Sequence, residues 1–264
     1  MGVQETIAHI SASADEQLQL RRIADKAEQC RRQNIPAWTK FLTPRERDLA
    51  DKLLPLLGNP THVYLGGHEE AERVVLYFLP DWLETPSEDD FPISCVRCTY
   101  PLEYGTIGHR DILGSLMGLG IERETLGDIY PSSGSADIVV LQDILPYVMQ
   151  NFFSAGKVHF QLREIGFHEM IIPERKTSTV RDTVASVRLD SIVSSAFGMA
   201  REKAAALIKS GRVQIDHLDC LKPDRAVQEG AVITARGFGK AVLTEVGGLS
   251  KKGRTGVVIT KYIG

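Results

Sequence analysis

RLDSIVSSAFGMAREKAAALIKSGRVQIDHLDCLKPDRAVQEGAVITARGFGKAVL, residues 188–243, decides how the C-terminal third of the chain is built. Leu189, Ile192, Val193 and Ala196 fall at i, i+3, i+4 and i+7, the buried stripe of a short helix. Gly198 follows as a left-handed stop. A second helix is expected over 200–210, burying Ala204, Leu207 and Ile208, with Gly211 ending it. Two short helices joined by two or three residues pack as an angled pair. Val213 and Ile215 then alternate with Arg212 and Gln214 as a half-buried strand, and 216–219 is a turn. Gly230 opens the next strand, through Val232 and Ile233, before a tight basic turn of Arg236, Gly237, Phe238, Gly239 and Lys240.

The charges follow from this layout. Arg201 and Lys203 lie in the first turn of the second helix, Lys209 in its last turn and Arg212 just past Gly211. With the apolar stripe inward, these side chains must face out. The free N–H groups of the helix start add partial positive charge beside Arg201, a geometry suited to phosphate. Residues 181–264 hold 14 Lys and Arg against 8 Asp and Glu, whereas the preceding 180 hold 17 against 26. Clustered positive charge on one end of a mildly acidic chain is the footprint of a polyanion partner. The candidate RNA contacts are Arg188, Arg201, Lys203, Lys209, Arg212, Arg236 and Lys240. Arg188 is expected both to pair with Asp190 and to face the partner, with Asp190 itself structural.

Working outward, residues 1–58 read as a helical N-terminal domain, with Leu18, Leu20, Ile23 and Ala24 at roughly helical spacing. Thr43, Pro44 and Glu46 mark a helix start with a capping box, and that helix runs to Gly58. Residues 59–172 read as a mixed α/β domain. A hairpin is expected around Val63, Leu65 and 74–78, then an acidic loop, WLETPSEDDFP. After it come strand 93–100, helix 108–119, strand 126–130, strand 137–141, helix 143–154 and strand 158–165. That order is β-α-β-β-α-β, a ferredoxin-like split unit shared with RNA-recognition modules. Residues 173–187 read as a linker or a lead-in strand, and 181–264 as the C-terminal domain. The fold class is therefore α+β in three parts.

Several chemistries lack their residues. Cys95 and Cys98 form a lone C-x-x-C in what reads as a strand, with no second pair or spaced histidines for zinc. Cys30 and Cys220 complete a count too low for a disulfide scaffold, so a reducing, cytoplasmic setting is expected. His109, Arg110 and Asp111 point in different directions from a helix start. They read as a cap and a dipole partner rather than a catalytic cluster, with Arg110 and Arg123 open as RNA contacts. The glycines of GSLMGLG (114–120) interrupt a helix and do not make a dinucleotide loop. No catalytic residue, metal site or cofactor is expected. No apolar run approaches the ~18 residues of a membrane span, and the N-terminus lacks the pattern of a secretory signal.

RLD, GMAREKAAALIKSGRVQID, KP and ARGFGK together resemble the alpha-L RNA-binding motif over about residues 186–245. Ala200 stands where a serine is common in that motif, and Ala231 where an aspartate is usual. IGHRDILGSLMGLGIERETLGDIY (107–130) and DIVVLQDILPYVMQNF (137–152) resemble the YlmH family of bacterial RNA-binding proteins. That resemblance implies a non-catalytic factor in ribosome-associated quality control of stalled nascent chains. Its implied partners are large-subunit ribosomal RNA and the tRNA of a peptidyl-tRNA complex, with the protein a monomer off the membrane. The alternative is an RNA-modifying enzyme, a pseudouridine synthase or ribosomal RNA methyltransferase, carrying the same module. It needs a catalytic Asp in a larger β domain or a methyl-donor loop, and neither is found.

Overall fold

The computed structural model describes residues 3–174, 176–249 and 253–263. The chain divides into two compact units, Met1–Pro173 and Glu174–Gly264.

The first unit opens with α1 (Val3–Ile10) and α2 (Ala14–Gln33). Asn34 ends α2 in the left-handed region at φ 54°, which asparagine tolerates better than most residues. Strand β1 (Ala37–Leu42) follows, then α3 (Pro44–Leu53), β2 (His62–Leu65) and β3 (Val74–Phe78). The capping box forms at α3: Thr43 Oγ1 accepts from the Glu46 amide, and the Glu46 carboxylate accepts from the Thr43 amide. The all-helical reading of 1–58 is corrected at β1. It pairs with β3 through Ala37, Trp38, Phe41 and Leu42 in an antiparallel sheet of order β1-β3-β2, so this sheet crosses the expected boundary at residue 58. The strand was hidden because its partner lies more than thirty residues downstream and strong helix signals flank it.

Strand β4 (Ile93–Thr99), α4 (His109–Gly118), β5 (Leu126–Ser132), β6 (Ser135–Leu141) and α5 (Leu145–Asn151) come next. The expected strand at 158–165 is broken. A short hairpin of β7 (Ser154–Ala155) and β8 (Val158–His159) precedes β9 (Gln161–Ile165). The four main strands form an antiparallel sheet of order β5-β6-β4-β9. Alternation along the strands sorts the side chains. Val96, Cys98, Ile138 and Val140 pack with Ile112 and Leu116 of α4 and Val148 of α5. Ile93, Val139 and Leu141 face the other way, onto Phe41, Val75 and Tyr77 of the three-stranded sheet. Helices thus cover one face of this sheet and a second sheet covers much of the other.

The second unit begins with β10 (Thr177–Val184), so the segment read as linker or lead-in strand is a strand. Helices α6 (Leu189–Phe197) and α7 (Arg201–Lys209) follow, then β11 (Val213–Ile215), β12 (Leu218–Asp219), β13 (Val232–Ala235), β14 (Gly239–Leu249) and β15 (Thr255–Tyr262). The antiparallel sheet runs β10-β15-β14-β13-β11-β12. Strand β15 had no reading in the sequence, yet it bridges β10 and β14. The two helix stripes predicted from spacing are buried, and they meet Val213, Ile233, Leu243 and Ile259 of the sheet.

Candidate nucleic-acid interface

The turn between α6 and α7 sets the site. Gly198 takes φ 62°, which frees the chain to reverse direction, and α7 then starts at Arg201. Ala200 at its N-cap offers no side-chain acceptor, so the first amides of α7 keep their hydrogen-bonding capacity.

Asp190 organises the helix starts. Its buried carboxylate accepts from Arg201 Nε at 2.9 Å and from the Ser191 amide at 2.9 Å. Arg188 Nε lies 3.4 Å from Asp190 Oδ1. The buried Nε has no hydrogen-bond partner, while Nη2 of the same guanidinium donates to Asp190 Oδ2 at 3.5 Å. Burial alone would raise the Asp190 pKa. The Arg201 hydrogen bond and the charges of Arg201 and Arg188 outweigh burial and hold it below the usual range. One carboxylate therefore serves two guanidiniums, and a net positive charge remains.

Three lysines stand over aromatic rings. Lys203 Nζ lies 5.4 Å from the centre of the Phe238 ring, and Lys261 Nζ 5.4 Å from that of Phe197. Phe197 and Phe238 touch, 6.3 Å between centroids and tilted 56°. Lys240 Nζ lies 5.6 Å from the Tyr262 ring centre. Arg212 joins this group through the backbone: its Nη2 donates to Arg236 O at 3.0 Å, and the Arg236 amide donates to Arg212 O at 2.8 Å. Gly237 is required here. Its φ is +87°, and a Cβ would sit 3.4 Å from Arg212 Nη2. Lys203, Lys209, Arg212, Arg236 and Lys261 have no ion pair among the described residues.

Six of the seven sequence-predicted residues thus fall in three small contact groups: Arg188 with Arg201, Lys203 with the 236–240 turn, and Arg212 with that same turn. Lys240 belongs to the turn. Lys209 is exposed at the far end of α7, outside these groups. Sequence reasoning missed Phe197, Phe238, Lys261 and Tyr262. The phenylalanines had a signal, each beside a glycine that reverses the chain. Lys261 and Tyr262 had none until β15 was placed beside β14.

The first unit spends its charges differently. At the start of α4, Gly108 rather than His109 is the cap, and Asp111 accepts from the Gly108 amide at 2.9 Å. His109 is corrected accordingly, since the carboxylate two residues on reaches the free amide. His109 is exposed at its surface, and partial desolvation of its ring with the nearby Arg123 charge pushes its pKa down. Arg123 is committed to backbone carbonyls, donating from Nη1 to Leu126 O at 2.8 Å and Gly127 O at 3.3 Å. Cys95 and Cys98 are both buried; burial pushes the Cys95 thiol up to about 12 and raises Cys98 as well, leaving neither reactive. Among the described residues no three His, Cys, Asp or Glu side chains gather as metal ligands, and no helix is long and apolar enough to cross a membrane.

Residues 86–169 match a family model described as "Putative RNA-binding domain in YlmH". The chain is 32% identical over 214 residues to the "Ribosome-associated protein quality control protein P2" of Bacillus subtilis (strain 168), covering 81% of this chain and 82% of that protein. It is also similar to a solved structure, "Cell division protein ylmH from Streptococcus pneumoniae", with a TM-score of 0.51 and 26% identity. That match covers 60% of this chain and 96% of the other.

Proposed function

Because the chain belongs to the YlmH family, we propose that it is a non-catalytic RNA-binding factor that docks on the large ribosomal subunit. It contacts ribosomal RNA and the tRNA of a peptidyl-tRNA complex, and takes part in ribosome-associated quality control of stalled nascent chains. It works as a monomer in the cytoplasm, with no cofactor. The name of the Bacillus subtilis relative supports the pathway, and the family model's description supports RNA as the partner.

The observation that carries the reading is the set of cations on the second unit, Lys203, Lys209, Arg212, Arg236 and Lys261, that have no ion pair among the described residues. We assign that unit to the alpha-L RNA-binding motif, and the 93–165 region to a ferredoxin-like fold on its element order and strand order. The principal docking charge is placed on Glu174–Gly264, with Arg188, Arg201, Lys203, Lys209, Arg212, Arg236 and Lys240 meeting phosphates. Residues 86–169 hold 5 Lys and Arg against 12 Asp and Glu, an unfavourable balance for a polyanion surface.

Docking through four to six phosphates gives a log–log salt slope of about −3 to −5. The test is co-sedimentation of the full chain with purified large subunits across a salt series. Arg201→Ala combined with Lys203→Ala is expected to lower association and flatten the slope. A double variant that sediments like wild type at raised salt refutes the assignment. Stoichiometric modified nucleotides after incubation with ribosomal RNA and a methyl donor would end the non-catalytic reading.

A further inference from the structure

The second unit has three Phe and Tyr side chains, Phe197, Phe238 and Tyr262, and no Trp. None lies in its buried core, which is built from Val, Leu, Ile, Ala and Cys. All three have a lysine ammonium over the ring. Large aromatic side chains contribute most to a fold when fully buried, so leaving every one of them partly exposed is poor use for stability alone.

We propose that Phe197 and Phe238 form a stacking platform for one unpaired nucleotide of the bound RNA, with Lys203 and Lys261 taking the phosphates on either side of it. This rests on RNA being the partner, as argued above. The four side chains form a continuous line of contacts, Lys203 to Phe238 to Phe197 to Lys261, drawn from α7, the β13–β14 turn, α6 and β15. Both rings are half-buried: each packs on the aliphatic core and is anchored by it, while part of its surface stays open. Phe238 is held between Gly237 and Gly239, at φ +87° and +108°, a turn that presents the residue between them. Neither lysine has an ion-pair partner among the described residues. Aromatic rings flanked by cations that track a backbone are how proteins hold unpaired nucleotides, whereas a paired helix hides its bases and is met through phosphates and sugars. Lys261 would then be an RNA contact on the last strand of the chain.

The test uses the full-length protein and two RNAs, a short perfect duplex and the same duplex with a single bulged 2-aminopurine. Wild type is expected to prefer the bulged RNA and to change the 2-aminopurine fluorescence on binding. Phe238→Leu keeps an apolar side chain in the turn but cannot stack; it is expected to lose the fluorescence change and about tenfold in affinity for the bulged RNA, leaving the duplex affinity alone. Lys261→Gln, at a surface position, is expected to flatten the salt slope by about 0.7–0.9 without changing the melting temperature. Equal loss on both RNAs in Phe238→Leu, a persisting fluorescence change, or an unaltered slope in Lys261→Gln would overturn the platform. Wild type binding neither RNA at any salt would refute the RNA reading itself, a result distinct from those three.

Discussion

The two units treat positive charge in opposite ways. In the first, most arginines and lysines are engaged internally. Arg45 pairs with Glu16, Arg97 with Asp137, Arg163 with Glu169, and Lys40 with both Glu122 and Glu124. Arg73 and Arg123 are spent on backbone carbonyls. In the second, one buried aspartate serves two arginines, and Lys203, Lys209, Arg212, Arg236 and Lys261 are among the cations that lack an acidic partner within the described residues. The sheets differ in the same sense. The face of the β5-β6-β4-β9 sheet that base-stacking folds leave open is here largely packed against a second sheet through Ile93, Val139 and Leu141. The lesson is that an element order like that of RNA-recognition modules does not by itself guarantee their open binding face. Where charge stays unneutralised and rings stay uncovered is the better guide.

Breaking a cation's partner in the first unit should therefore cost stability. Arg97 and Asp137 lie directly opposite on β4 and β6, joined at 2.6 and 2.7 Å. Asp137 is 1% exposed and also accepts from the Ile171 amide at 2.7 Å, which ties down the end of the unit. Asp137→Ala strands a largely buried guanidinium and that amide, and a loss of about 3–5 kcal/mol in urea unfolding of the first unit is expected. The RNA salt slope should not move. A loss under 1 kcal/mol would show that water reaches the pair.

Asp190 is the corresponding joint of the second unit, and a smaller effect is expected because its arginines are half-exposed. Asp190→Asn should cost about 1–3 kcal/mol. The pH dependence has a definite sign. The folded-state pKa lies below the ordinary 3.8, so the carboxylate's contribution is fully present above that value. It is lost as pH falls from there through the folded pKa. Acid titration of stability should show this loss in wild type and not in Asp190→Asn. Identical acid profiles would mean that Asp190 is not held ionised by its arginines.

Much of this was legible in the sequence where the signal is local. The α6 and α7 stripes, the Gly198 and Gly211 stops and the Thr43 capping box depend on residues within one turn of each other, and all are present. What was not legible depends on distant partners. Strand β1 is defined by β3, and β15 by β10 and β14. The candidate interface divides along the same line. Its basic residues near α7 were visible from helical spacing. Its rings and Lys261 come together only because β15 runs beside β14, a pairing that no period in the chain announces.

The mildest prediction is the sharpest test of the contrast, because it compares two lysines that folding should not miss. Lys40 bridges Glu122 and Glu124 at an exposed site, and Lys209 stands exposed at the end of α7 with no ion pair. Exposed ion pairs contribute little, so neither Lys40→Ala nor Lys209→Ala should shift the melting temperature measurably. Only the lysine without a partner is free to release a counterion when RNA binds. Lys209→Ala is expected to flatten the salt slope by about 0.7–0.9, one phosphate's worth, and Lys40→Ala to leave it unchanged. Equal slopes in the two variants would place Lys209 off the docking surface, in keeping with its position outside the contact groups around Phe238. A flattened slope in Lys40→Ala would instead bring the first unit into RNA contact, and the division of labour between the units would have to be redrawn.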